Sequence, residues 1–294
     1  MRSPRAKPSE PQPMLARLPG WINATQPETR EVAAFRSGAA LAHLALATAT
    51  YPVPQALWRD RLALAAAEVS AGISGRREGA AALRDALHLS KVGDDPGPSG
   101  RLLRQWSRAV SRPISLENLG RALEGVAPER IALSLDVTGP TPVDRTAQVI
   151  EAALTDNPRG EIAALILADA ALSLALGRDH LLPLLGPVMT ARDLRLRGDD
   201  LRLACHRAAA KGVGHALPLA GTLLRAAVPK LRAKGAARAV DMILSQDALT
   251  PVALARAMPD ILSERAARRL CERLVELGAL RELTGRDTFR LYGV

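Results

Sequence analysis

Aromatic side chains are nearly missing from this chain of 294 residues: Phe, Trp and Tyr make up 2%, and none lies between Trp106 and Phe289. Modules that read single-stranded nucleic acid stack bases on aromatic rings, which argues against RNA-recognition folds and oligonucleotide-binding barrels. Cysteine is as scarce. Cys205 and Cys271 have no CxxC or CxxH partner, which removes zinc fingers and disulfide scaffolds and suits a reducing cytoplasm. No run reaches the roughly 18 continuous apolar residues of a membrane span; the best candidate, 162–176, is interrupted by Asp169 and reads as a buried helix. No membrane partner is therefore expected. A Walker A loop, a GxSxG elbow and a GxGxxG fingerprint are all absent.

What is present is an ordinary globular balance, 48% hydrophobic and 24% charged, with 40 basic against 30 acidic residues and a net charge of +10. An anionic partner follows as the first expectation. Of the basic residues 35 are Arg, a bias that GC-rich coding also produces, so position informs more than the total. Residues 178–238 carry a local net charge of +8, and residues 101–169 carry −1. Solvated helix faces are the alternative account of that excess.

The pattern predicts a mainly α chain: a disordered Pro-rich and basic leader over 1–28, an all-α domain over 29–229, and a small winged helix-turn-helix domain with a β-hairpin over 230–294. The leader lacks the apolar core of a secretory signal. Helical spacing runs over 31–49, 54–72, 77–89, 101–110, 116–124, 128–135, 142–154, 161–176 and 199–210, with the first two expected to form an antiparallel pair. Pro218 and Pro229 are read as breaks.

Beyond Lys230 three short helices are predicted over 236–245, 252–258 and from Ser263, the last two capped by Thr250 and Ser263. In the third, Ala267, Leu270, Cys271, Leu274 and Leu277 form an apolar stripe while Arg265, Arg268, Arg269 and Arg273 face away, and Gly278 stops the helix. Residues 280–283 and 289–292 then alternate as two strands around a basic tip at Arg286. Three helices followed by a hairpin suit major-groove recognition, in which Arg contacts guanine edges and neighbours clamp phosphate. The expected partner is double-stranded DNA, with a homodimer left open, and the expected DNA-binding set is Arg265, Arg268, Arg269, Arg273, Arg286, Lys230, Arg232 and Lys234. Glu264, Glu272 and Glu276 weaken that face. The alternative is a packing or dimerisation element that never touches DNA.

The tail LSERAARRLCERLVELGALRELTGRDTFRLYGV resembles the winged-helix tails of Fic-type proteins over about 50 residues. Through PVPQALWRDRLALAAAE, GDDPGPSGR, RGDDLRLACHRA, VPKLRAKGA and RELTGRDTFRLYGV, most of the chain also resembles an alphaproteobacterial family, domain-of-unknown-function family 1403. That resemblance implies no known activity.

One loop has residue types for anion chemistry. His88, the Gly-rich run to Gly100, Arg101 and Arg104 are loosely similar to the Fic motif and place two Arg near a helix N-terminus, where a nucleotide phosphate binds. Against this, Pro98-Ser99-Gly100 replaces Asn-Gly, His88 lies 13 residues before Arg101, and no Phe follows the His. A Pro/Gly turn with Ser99 capping the next helix accounts better for the loop. Asp199, Asp200 and His206, and Asp179 with His180, offer metal-ligand types without metal-ligand spacing; the two Asp read as N-cap and first-turn residues. His43, on an apolar face, reads as a core histidine. No catalytic residue, metal or cofactor is expected, and the chain reads as a non-enzyme.

Overall fold

The structure, a computed structural model, describes residues 17–23, 29–88, 94–221, 224–231, 235–286 and 289–294. It is mainly helical: α1 Arg30–Thr50, α2 Gln55–Ile73, α3 Ala80–His88, α4 Gly97–Ser111, α5 Leu116–Ala122, α6 Pro128–Leu135, α7 Pro142–Asp156, α8 Glu161–Ala175, α9 Gly198–Leu219, α10 Leu224–Ala227, α11 Ala236–Ile243, α12 Pro251–Ala257 and α13 Glu264–Glu276. Three two-residue strands, β1 Ala248–Leu249, β2 Arg281–Glu282 and β3 Tyr292–Gly293, form an antiparallel sheet in the order β1-β3-β2.

Local sequence explains five of the helix starts. Thr29, Ser115, Thr141, Thr250 and Ser263 each accept the backbone N–H three residues on, satisfying a donor that the first turn leaves orphaned. Pro142 and Pro251 follow two of these caps, where a missing N–H costs nothing.

Four local expectations need correction. Helices α1 and α2 are not partners: α1 packs chiefly on α9, and α2 on α4. The short Pro52–Pro54 link sets the connection but not the partner. Pro218 does not break α9 but sits in its last turn, where it forfeits only the bond to the Gly214 carbonyl before the helix ends at Leu219. Ser99 is not a cap; it lies within α4 and its hydroxyl donates to Glu78 at 2.7 Å. Strand β1 adds a third member to the expected hairpin, and its two residues are too few for any alternation to show in sequence.

The main core joins α1 to α9. Trp58 and Trp106 lie fully buried in it, donating to the Ala216 carbonyl at 2.8 Å and to Ser70 Oγ at 2.9 Å. Its least obvious part is the irregular run from Leu181 to Met189, which is buried although loops normally stay at the surface. Asp169, on the apolar helix α8, makes this possible. Its carboxylate accepts the N–H groups of Leu184, Leu185 and Gly186 at 3.0, 2.8 and 2.9 Å, and Ser173 accepts that of Leu182 at 3.0 Å. Complete burial pushes Asp169 up to about 7, against the pull of those three amides. Gly212 lets α9 close on the same run, since a Cβ there would lie 2.0 Å from the Leu184 carbonyl oxygen.

Within the predicted leader, residues 20–23 form a 3-10 turn that buries Ile22 in this core. Residues 1–16 and 24–28 lie outside the described residues. By length and composition, α1 is the one described helix apolar enough to cross a membrane. One flank of it packs into the core through Ala33, Ala40, Leu41, Leu44 and Ala47. A second hydrophobic cluster gathers α10 to α13, the sheet and Leu57 from α2.

Candidate nucleic-acid interface

The second cluster positions α13. Ala267, Leu270, Cys271 and Leu274 recur at helical spacing and are buried against α11, α12 and Tyr292 of β3. Leu277 is only half-buried. The same period turns Arg265, Arg268, Arg269 and Arg273 to solvent. Arg265, Arg269 and Arg273, one turn apart, line a groove of about 300 Å³ with Leu231, Ser263 and Leu270. Arg273 bonds Glu276 at 2.7 Å, whereas Arg265, Arg268 and Arg269 have no ion pair with another described residue. Burial pushes the Cys271 thiol up to about 12, so it stays a neutral core group.

The other expected contacts are scattered. Lys230 ends an exposed 3-10 turn just before Leu231 of the groove. Arg232 and Lys234 lie outside the described residues. Arg286, on the turn between β2 and β3, bonds Asp85 of α3 at 2.7 Å. Glu282 organises that turn by accepting the N–H groups of Thr284 and Gly285, both at 2.8 Å. Burial alone would raise the Glu282 carboxyl, but these bonds and the Thr284 hydroxyl outweigh it and hold it below its usual value. Phe289 beside the turn is 77% exposed.

The C-terminal unit meets the helical body elsewhere. The Leu57 N–H donates to the Leu244 carbonyl, the Asp247 N–H to Asp60, Arg84 to both carboxylate oxygens of Asp247, and Arg61 to the Val294 carbonyl. None of these polar contacts uses an α13 side chain. The cleft beside them, about 480 Å³, includes Arg61 and Arg84. Arg84 is paired with Asp247, and Arg61 also donates to the Leu219 and Gly221 carbonyls, so neither presents a free fork to a ligand.

The loop residues serve packing. Gly100 leaves room for Pro96 before α4, which a Cβ there would meet at 2.4 Å, and for the backbone of Ala86 in α3, which would lie 3.3 Å away. Arg101 pairs with Asp95, Arg104 is half-buried on α4, and His88 ends α3. Burial lowers the pKa of His88, with Asp247 opposing, so this side chain feels the joint to the C-terminal unit. Residues 89–93 of the loop lie outside the described residues.

Among the described residues no group of three or more His, Cys, Asp or Glu is placed to hold a metal. Asp199 and Asp200 stand in the first turn of α9, as expected, but the N-cap is Arg197. His43 is half-buried. Sequence reasoning missed one constellation entirely: Ser37 Oγ lies 2.8 Å from His206 Nδ1, with Asp144 3.9 Å from Nε2. These are the residue types of a hydrolase triad, but the geometry is that of a clamp. Ser37 is 1% exposed and its hydroxyl also donates to the Ala34 carbonyl, while Asp144 is too far for a hydrogen bond and accepts from Thr141. Burial lowers the His206 pKa and favours the neutral ring. The Ser37–His206 contact ties α1 to α9 across a sequence distance that no local pattern reveals, with Asp144 of α7 beside it.

No curated protein and no solved structure matches the chain. A family model described as "Protein of unknown function (DUF1403)" matches residues 7–294, and the chain belongs to that family.

Proposed function

We propose that the chain binds double-stranded DNA through α13, as a cytoplasmic regulator or a plasmid- or mobile-element-linked accessory protein. The carrying observation is the uncovered arginine face of α13, with Arg265, Arg269 and Arg273 along one groove and Arg268 beside it. The element order α11-β1-α12-α13-β2-β3 and the strand order β1-β3-β2 support reading this unit as a winged helix-turn-helix. The likeness of its tail to those of Fic-type proteins supports the same reading. In that module the third helix enters the major groove, and Arg forks pair with guanine edges or phosphate. The three Glu of α13 restrict close approach to part of its surface.

A second reading, an interaction protein whose C-terminal unit serves only packing, is favoured by the Arg286–Asp85 pair, which ties the hairpin turn to the body. Anisotropy titration of a labelled duplex at low salt distinguishes the two. Saturable binding that is weakened in Arg268→Ala/Arg269→Ala without a change in melting supports DNA binding, and no binding by the parent chain removes it.

A further inference from the structure

We infer that α13 divides its work between two neighbouring rows of side chains, one clamping the phosphate backbone and the other reading G·C base pairs. The division rests on the DNA-binding reading above and names the duplex that such a surface takes. Side chains four positions apart follow one another up a helix with a rise of about 6 Å, and those one position apart lie about 100° from each other around its axis. Arg265, Arg269 and Arg273 therefore form one exposed row, and Glu264, Arg268 and Glu272 form the row beside it.

The first row lines the groove. Arg265 and Arg269 have no ion pair with another described residue, whereas Arg273 is held by Glu276 at 2.7 Å. Ser263, which also lines the groove, accepts the Ala266 N–H as the cap of α13 and keeps its own hydroxyl proton to donate. The exposed Lys230 precedes Leu231, another lining residue. Among the described residues no carboxylate lines this groove. Two unpaired guanidinium forks, a lysine and a hydroxyl suit phosphate oxygens.

The second row has a different character. Arg268 has a glutamate one turn away on either side, yet no ion pair joins it to Glu264 or Glu272. A phosphate brought to Arg268 would meet both carboxylates, and like charges repel. A base edge meets them differently. Guanine offers O6 and N7 to the Arg fork, and the amino group on N4 of cytosine donates to a carboxylate, so this row matches the edges of G·C pairs. An A·T pair lacks the two adjacent acceptors that the fork takes from guanine.

Selection of bound members from a duplex pool randomised at its centre, followed by salt titration of the recovered duplexes, tests the division on the full chain. The parent should enrich G·C pairs at its contacted positions. Arg268→Ala should lose that enrichment and bind the selected duplex at least about tenfold more weakly. Arg265→Ala/Arg269→Ala should keep the enrichment while weakening every duplex alike, with a salt slope shallower by about 2. Both variants should melt with the parent, because the side chains removed are exposed. Retention of no duplex by the parent would remove DNA binding itself, and the division with it. Recovery of duplexes without G·C enrichment, or enrichment that survives Arg268→Ala, would overturn the division and leave DNA binding standing. Enrichment lost instead in Arg265→Ala/Arg269→Ala would overturn the assignment of the two rows.

Discussion

The helical body and the C-terminal unit use the same Arg-rich, aromatic-poor composition in opposite ways. In the body, several of the buried polar groups find partners inside the fold. Asp169 serves three amides, both buried Trp rings donate to fixed acceptors, and His206 bonds Ser37. Four basic residues of the stretch 178–238 are engaged with other groups: Arg178 lies over Trp58, Arg197 donates to the Leu194 and Leu196 carbonyls, and Arg202 and Arg225 pair with Asp199 and Asp241. On α13, by contrast, Arg265, Arg268 and Arg269 face water with no ion-pair partner among the described residues, although Glu264, Glu272 and Glu276 share the helix. A local excess of basic residues is thus no measure of how many of them remain unpaired.

The largest test of this contrast is Asp169→Ala. It leaves three buried amides without an acceptor, each costing about 1 to 3 kcal/mol, so urea denaturation should show a loss above about 3 kcal/mol. A loss below about 1 kcal/mol would break the picture of a buried loop held by one carboxylate. The same residue sets a pH dependence. Its folded value of about 7 lies above the ordinary carboxylate value, so the folded chain keeps a proton that the unfolded chain releases. Stability from this group is full below about pH 4, declines as pH rises toward about 7, and levels off above that. Melting curves across that window should show the decline, and Asp169→Asn should flatten it.

Leu270→Ala comes next. It opens a cavity in the second cluster at a cost of about 2 to 5 kcal/mol, read as a lower melting temperature, with a smaller effect on duplex affinity per folded molecule than loss of the arginines has. Arg268→Ala/Arg269→Ala should do the reverse, moving stability by at most about 1 kcal/mol per residue while removing about 1 to 3 kcal/mol of duplex binding for each Arg that touches a base. If the Arg pair unfolds the protein instead, α13 is a packing element. The smallest effect is expected of Arg286→Ala, which breaks a half-exposed pair with Asp85 and should shift stability by less than about 1 kcal/mol in calorimetry.

What the sequence makes legible is what neighbouring residues decide. Helix α6 runs from Pro128 to Leu135 as its spacing predicts, Thr250 and Ser263 cap the helices they precede, and α13 buries Ala267, Leu270, Cys271 and Leu274. These features depend on periods and caps spanning a few residues. What stays hidden depends on distant partners. The pairing of α1 with α9, the Ser37–His206 contact across 169 positions and the Asp60–Asp247 joint across 187 have no local signature. Asp169 marks the boundary between the two. Its interruption of an apolar run is visible in sequence, but its role becomes visible only when the amides of residues 184–186 meet it.

The central proposal is that α13 carries unpaired arginines to an anionic duplex, and the salt dependence of binding tests it most directly. Duplex affinity measured by anisotropy over a range of salt should fall linearly on logarithmic axes, with a slope shallower by about 1 for each phosphate that a variant no longer neutralises. Arg268→Ala/Arg269→Ala should therefore bind more weakly and with a slope reduced by up to about 2. The same slope and affinity in parent and variant would contradict the account.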